Sequence, residues 1–162
     1  MFILKWLLIL VVLLAVGLVC AGQFGLLKGT PPTDLGVHDG RLKAPSATPN
    51  SVSSQAALYP DHPIRTNADI APLALRGDGP ATLAKIKAIV EATDGAVVVK
   101  AEPDYLYAQF TTRLMKYTDD VEFWFDPAAA VVQVRSASRI GHGDLGANRQ
   151  RIEAIRQKLA AA

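Results

Sequence analysis

The densest group of polar side chains with chemical potential lies in residues 134–151, which read VRSASRIGHGDLGANRQR. Glycines in this stretch predict a turn from a strand into a helix. A helix that begins near Gly146 would offer free backbone N–H groups and its positive dipole end to an anion. Arginine forks bind oxyanions through paired hydrogen bonds. The candidate ligand-binding residues of this stretch are Arg135, Arg139, Asp144, Asn148 and Arg149.

A structural role is the alternative for the same stretch, and capping and pairing are the commoner uses of these residue types. Asp144 is placed to cap the final helix and to pair with an arginine. We therefore also hold the hypothesis that Arg139, Asp144, Asn148 and Arg149 form one hydrogen-bonded network that joins the sheet to the helix.

Two adjacent acids, Asp119 and Asp120, complete the candidate set. Paired carboxylates can divide acid and base roles when their surroundings separate their pKa values. Acids at a strand entry also form turns, or they pair with arginines such as Arg135 or Arg139.

Other kinds of site find little support. Ser53 or Ser54 could join Asp61 and His62 in a hydrolase, but no nucleophile-elbow glycines surround either serine. The three histidines lack the close spacing of zinc ligands, and no Gly-Lys-Ser/Thr string is present for a phosphate loop. We therefore predict no catalytic residue, no metal and no cofactor. With 17 basic and 15 acidic residues, the charge balance does not favour nucleic acid as a partner.

Several strings together resemble a known family, the domain of unknown function 1499 family. They are PNSVSSQ at 49–55, YTDDVEF at 117–123, RSASRIG at 135–141, DLG at 144–146 and NR at 148–149. The similarity runs from about Leu42 to Arg156. It implies an uncharacterised bacterial and plastid protein, often exported or membrane-anchored, without an established activity. Members commonly carry a cysteine pair flanking the Pro-Asn step. Ser51 stands at the second of those positions here, so a disulfide or redox role for that loop does not apply.

Hydrophobic periodicity predicts the elements that position these residues. Apolar residues recur at three- and four-residue spacing between Asp78 and Gly95, and again from about Ala147 to the C-terminus, which predicts two helices. Four strands are predicted between them, at 96–102, 105–111, 121–125 and 131–138. The simplest fold is α+β, a four-stranded antiparallel sheet with both helices packed on one face. Its other face, which carries Tyr105, Tyr107 and Trp124, is either a binding surface or is covered by the proline-rich segment before it.

An apolar block occupies residues 2–22, long enough for a transmembrane helix. A cleaved signal peptide and a lipoprotein acylated at Cys20 are the alternatives. We predict three regions: a membrane anchor or uncleaved signal segment at 1–27, a Pro/Gly/Ser-rich linker or surface loop at 28–57, and one α+β domain at 58–162.

These features predict a single-pass inner-membrane protein with its domain in the periplasm, or an exported domain if the signal is cleaved. We favour a non-enzymatic binding or scaffold module, held to the membrane by residues 2–22 and engaging a protein or a small anionic ligand. The alternative is an enzyme of unrecognised type that acts on a small anionic substrate through its Arg/Asp cluster.

Overall fold

The computed structural model describes residues 2–162, and its first element is a helix, α1, at Phe2–Gln23. This helix is long and apolar enough to cross a membrane, and none of its most apolar stretch is buried against the rest of the chain. A rise of about 1.5 Å per residue makes 20 residues roughly as long as the hydrocarbon core is thick. An N-terminal helix of this kind is consistent with a single-pass anchor or with a signal sequence.

The domain that follows is α+β with an antiparallel sheet, as predicted, but the sheet has six strands and not four. Its strands are β1 Ser51–Ser53, β2 Leu73–Ala74, β3 Ala96–Ala101, β4 Tyr105–Thr111, β5 Thr118–Asp126 and β6 Val131–Ser138. The order is β1-β6-β5-β4-β3, and β2 pairs with the other end of β6. The prediction of four strands missed β1 and β2, because strands of three and two residues are too short to show a period of two.

A 3-10 turn at Ala56–Leu58 and two helices, α2 at Arg65–Ala68 and α3 at Gly79–Glu91, lie between the strands, and α4 at Ala147–Ala161 follows the last strand. Helix α3 begins as its sequence predicts, because the Asp78 side chain accepts a hydrogen bond from the Ala81 amide at 2.7 Å and Pro80 follows at the first turn. Gly79 allows the Phe125 ring to pack on the helix start, since a Cβ there would lie 2.2 Å from the ring.

One core cluster joins the sheet to α3 and α4. The strand register places Leu106, Phe123 and Val134 on a common face of the sheet. These residues share a buried cluster with Ile86 of α3 and Ile152 of α4. Burial of aliphatic side chains in one contiguous cluster is the main stabilising contribution for a domain without disulfides.

The opposite face of the sheet is covered in part by residues 30–46, which we call the cover segment. Its Gly36 amide donates to the Glu122 carboxylate at 2.8 Å, and its Ala44 carbonyl accepts from Arg135 Nε at 3.2 Å. Tyr105 is only 5% exposed beneath it, whereas Tyr107 and Trp124 are half-buried. Of the two possibilities for this face, the structure therefore shows cover by the proline-rich segment over Tyr105.

Candidate functional site

The candidate residues other than Arg149 fall into two clusters on opposite faces of the sheet, because side chains alternate along a strand. Asp119 lies on the α4 side, and the neighbouring Asp120 lies on the side of the cover segment. We call these the inner cluster (Asp119, Ser136, Asp144, Asn148 and Arg151) and the outer cluster (Asp120, Glu122, Arg135 and Arg139, with Tyr105 and Tyr107).

Arg151 of α4 organises the inner cluster. Its Nη2 bonds the Asp119 carboxylate at 2.5 Å, and its Nη1 donates to the Asn148 side-chain oxygen at 2.7 Å and to the Ser136 hydroxyl at 2.9 Å. The guanidinium also lies 4.8 Å from the centre of the Phe110 ring, a cation–π distance. These contacts tie α4 to β4, β5 and β6.

Asn148 is fully buried at the centre of the same cluster. Its amide nitrogen lies within hydrogen-bond distance of the Asn50 carbonyl at 3.0 Å, the Ser138 hydroxyl at 2.9 Å and the Asp144 carboxylate at 2.8 Å. It therefore joins α4 to β6 and to the residue that precedes β1. A buried amide with all its groups bonded serves to fix packing.

Asp144 caps α4, as one of the two interpretations of the sequence predicted, but it does not form the ion pair with an arginine that the same interpretation expected among residues 2–162. Its carboxylate accepts hydrogen bonds from the backbone amides of Gly146 and Asn148, each at 2.9 Å. Partial burial opposes ionisation of this carboxyl, but the backbone hydrogen bonds outweigh it, and the pKa of Asp144 lies below its ordinary value.

The single network proposed for Arg139, Asp144, Asn148 and Arg149 is wrong, because only Asp144 and Asn148 bond each other. Arg139 lies in the outer cluster. Arg149 turns to the chain before β2, where its Nη2 donates to the carbonyls of Asn67 at 3.0 Å and Asp69 at 2.7 Å.

In the outer cluster, Arg139 and Asp120 form a two-pronged ion pair. Arg139 Nε lies 2.9 Å from one carboxylate oxygen and Nη2 lies 2.8 Å from the other, with the side chains 5% and 3% exposed. The Tyr107 hydroxyl donates to the same carboxylate. Hydrogen bonding to Asp120 raises the pKa of Arg139 above its ordinary value, so this guanidinium is charged at all working pH values.

Glu122 and Arg135 are a second, less complete pair in the outer cluster. One Glu122 oxygen accepts from the Gly36 amide and from the Tyr105 hydroxyl, each at 2.8 Å. Its other oxygen makes no hydrogen bond within residues 2–162 and lies 3.6 Å from Arg135 Nη1. Burial raises the pKa of Glu122 against the opposing effects of Gly36 and Arg135, and burial lowers the pKa of Arg135.

A cleft of about 410 Å³ opens between the cover segment and the outer cluster. Arg135 lines it and is itself 4% exposed. Its Nε is bonded to Ala44 and its Nη1 lies 3.6 Å from the Glu122 carboxylate, which is beyond hydrogen-bond distance. The other lining residues are Thr30, Pro32, Lys43, Pro45, Ser46, Ala47, Asp120, Ala137, Ser138 and Arg139.

Among residues 2–162, no three His, Cys, Asp or Glu side chains converge in a way that would hold a metal ion. The structure also adds two functional candidates that the sequence analysis did not select, Glu122 and Arg151. Strand alternation puts Glu122 on the same face as Asp120, and Arg151 lies three positions after Asn148 on α4. The sequence contains both of these spacings. The partners of Glu122 and Arg151, however, could be assigned only from the register of the strands and the position of α4.

Comparison with protein families gives one match. The model of a family described as protein of unknown function (DUF1499) matches residues 41–159, which include every strand and both clusters. None of the curated proteins compared with the chain is significantly similar to it.

Proposed function

Because the chain belongs to the DUF1499 family of proteins of unknown function, we propose its role from the geometry: it is a membrane-anchored, extracytoplasmic module that binds a small anionic group in the cleft at Arg135. In this proposal α3 and α4 cover one face of the sheet. The cover segment encloses the other face and leaves the cleft as its opening.

The observation that carries the proposal is the state of Arg135. A guanidinium carries five N–H donors in a rigid fork, and its terminal edge matches the paired oxygens of a carboxylate or a phosphate. Here that edge is held in a nearly buried position by Ala44 and Glu122, and its ion pair with Glu122, at 3.6 Å, is too long for a hydrogen bond. An oxyanion in the cleft would complete its hydrogen bonds.

The charges that line the cleft support the same ligand class. Arg135, Arg139 and Lys43 supply three positive groups, and Asp120 is the only acidic residue in the lining. Both oxygens of Asp120 are already bonded to Arg139. The Asp34 carboxylate pairs with Lys43 at 2.6 Å, but that contact is largely exposed and is easily exchanged.

The enzyme alternative would need an acid or base that reaches the ligand. Glu122 has the raised pKa that such a group needs. However, Glu122 is fully buried and does not line the cleft, so it contacts Arg135 and Tyr105 in place of a substrate. We therefore favour binding over catalysis.

The proposed location rests on α1. A leading apolar helix directs the chain to the membrane whether it is retained or cleaved. We propose that it is retained, with its N-terminal end on the cytoplasmic side and the domain outside.

Titration calorimetry tests the binding proposal directly. The full chain in neutral-lipid nanodiscs is titrated with inorganic phosphate and with succinate at constant ionic strength. A third arm uses nanodiscs that contain phosphatidic acid. This arm distinguishes binding of a free anion from binding of a lipid headgroup. We expect Arg135→Lys to weaken binding at least about tenfold, because an ammonium cannot reproduce the planar fork.

The matched control is Arg76→Lys, at an exposed arginine outside the cleft. It should bind like the wild type. Equal affinity in all three proteins, or binding in none of the arms, contradicts the proposal.

A further inference from the structure

The end of α1 rests on the loop at 112–117, which joins β4 to β5. Gly22 is buried there, so close to the backbone of Met115 that a Cβ would lie 2.5 Å from its carbonyl oxygen. The Gln23 side chain donates to the Leu114 carbonyl at 2.8 Å. The loop is therefore held at the point where α1 ends.

Exposed apolar side chains gather at this same end of the sheet, where β4 ends, β5 begins and β6 ends. Leu145 is wholly exposed and Leu114 is 59% exposed in the loops there. Outside α1, six of the nine large exposed hydrophobic residues belong to this end: Phe24, Leu26, Leu114, Tyr117, Ile140 and Leu145. Single exposed hydrophobic residues are ordinary, but a concentration at one end marks an interaction surface.

Basic side chains accompany these apolar residues. Lys28, Arg113 and Lys116 lie in the chain around α1's end and in the loop, and none forms an ion pair among the described residues. Of the acids at this end, Asp119 is paired with Arg151, Asp120 is paired with Arg139, and Asp144 is occupied by the amides at the start of α4, while Asp94 lies in the turn before β3. The end of the sheet thus combines apolar loop tips with unpaired positive charge.

We infer that this end of the sheet is a lipid-contacting surface that seats the domain against an anionic membrane. The inference rests on the proposed anchoring by α1. A spanning α1 brings the 112–117 loop to the bilayer surface, because Gly22 and Gln23 are bound to it. Exposed Leu114 then enters the boundary between headgroups and acyl chains, while Arg113 and Lys116 contact anionic headgroups.

The contact between this end of the sheet and the membrane also determines where the cleft lies relative to the bilayer. Gly29 packs against Arg139 and Ile140, at distances that leave no room for a Cβ. Arg139 and the neighbouring Thr30 line the cleft. The cleft therefore lies beside the lipid-contacting end and opens near the membrane surface.

Lipid quenching tests the inference on the full chain. Leu114→Cys, in a Cys20→Ser background, is labelled with an environment-sensitive fluorophore and placed in liposomes that contain phosphatidylserine and bromine-labelled lipid. Leu58→Cys is the matched control, an exposed apolar residue that follows β1 away from this end. We expect about threefold stronger quenching at 114 than at 58, since interfacial side chains insert only about 5 to 10 Å.

Charge reversal provides the second variant. Arg113→Glu combined with Lys116→Glu should reduce quenching at 114 in anionic liposomes, whereas Lys158→Glu, near the far end of α4, should not. Flotation with the liposomes measures anchoring separately. If the protein floats with the liposomes but quenching is equal at 114 and 58, the lipid-contacting surface is contradicted and the anchor is not. Failure to float overturns the anchor, and the inference with it.

Discussion

The Asp120–Arg139 ion pair allows the sharpest stability prediction. Both side chains are nearly buried, so removal of one partner leaves an uncompensated charge. Asp120→Ala should lower the free energy of unfolding by about 3 kcal/mol. The Asp120→Ala, Arg139→Ala double variant should cost clearly less than the sum of the two single variants. Urea unfolding of the domain measures all three.

Lys87 and Glu91 provide the control, since both members of this ion pair are exposed. Glu91→Ala should cost about 0 to 1 kcal/mol. If Asp120→Ala costs no more than Glu91→Ala, the pair does not stabilise the outer cluster as described.

Asp144 should make stability depend on pH in the acid range. Its pKa is lower in the folded state than the ordinary value of 3.8, so the unfolded chain binds the proton more tightly. The stabilisation is complete above 3.8 and is lost as the pH falls through the folded-state pKa. Asp144→Ala should cost about 1 kcal/mol at pH 7, as loss of a helix cap usually does, and less at strongly acid pH.

Unfolding midpoints of the wild type and of Asp144→Ala, measured across the acid range, check the direction of this pH dependence. A cost for Asp144→Ala that stays constant down to the lowest pH would show that the carboxylate charge is not what caps α4.

These residues also show what the sequence could and could not reveal. Asp144 was recognisable as a cap because it precedes a periodic helix. Strand alternation separates Asp119 from Asp120, yet their partners Arg151 and Arg139 are fixed only by the register of β5 with β6 and by the docking of α4. The burial of Glu122 depends on the cover segment, whose sequence has no apolar periodicity to predict where it lies.

Longer elements were predicted more completely than short ones. Strands β3 to β6 and helices α3 and α4 each carry a repeating apolar pattern and were predicted near their observed bounds. β1 is buried at all three positions and β2 has only two residues, so neither shows alternation. Both strands form by pairing with β6, which is a tertiary interaction.

The cover segment should contribute to stability even though part of it lies before the family match. A chain that begins at Lys28 keeps the Gly36 amide on Glu122, whereas one that begins at Arg41 loses it. Loss of a hydrogen bond to a buried charged group should lower the free energy of unfolding by about 2 kcal/mol. Denaturant unfolding of the two chains measures the difference. Equal stability would show that residues 28–40 do not hold the outer face closed.

The arrangement of the whole molecule connects the two proposals. The end of α1 is bound to the 112–117 loop, and the cleft at Arg135 begins at Thr30, a few residues along the chain. Anchoring, seating and binding are thus adjacent in space, so an anion at the membrane surface is within reach of the cleft. The proposed function adds one further requirement, that the domain lies outside the cytoplasm.

Thiol labelling in cells tests that requirement most directly. Cys20 is the only cysteine, so Cys20→Ser followed by Gln157→Cys leaves one reactive thiol, at an exposed position of α4. A membrane-impermeant maleimide is applied to spheroplasts before and after lysis, with a cytoplasmic thiol protein as the control. The account predicts full labelling at position 157 before lysis, when the control is still unlabelled. Labelling at 157 only after lysis would place the domain in the cytoplasm and contradict the account.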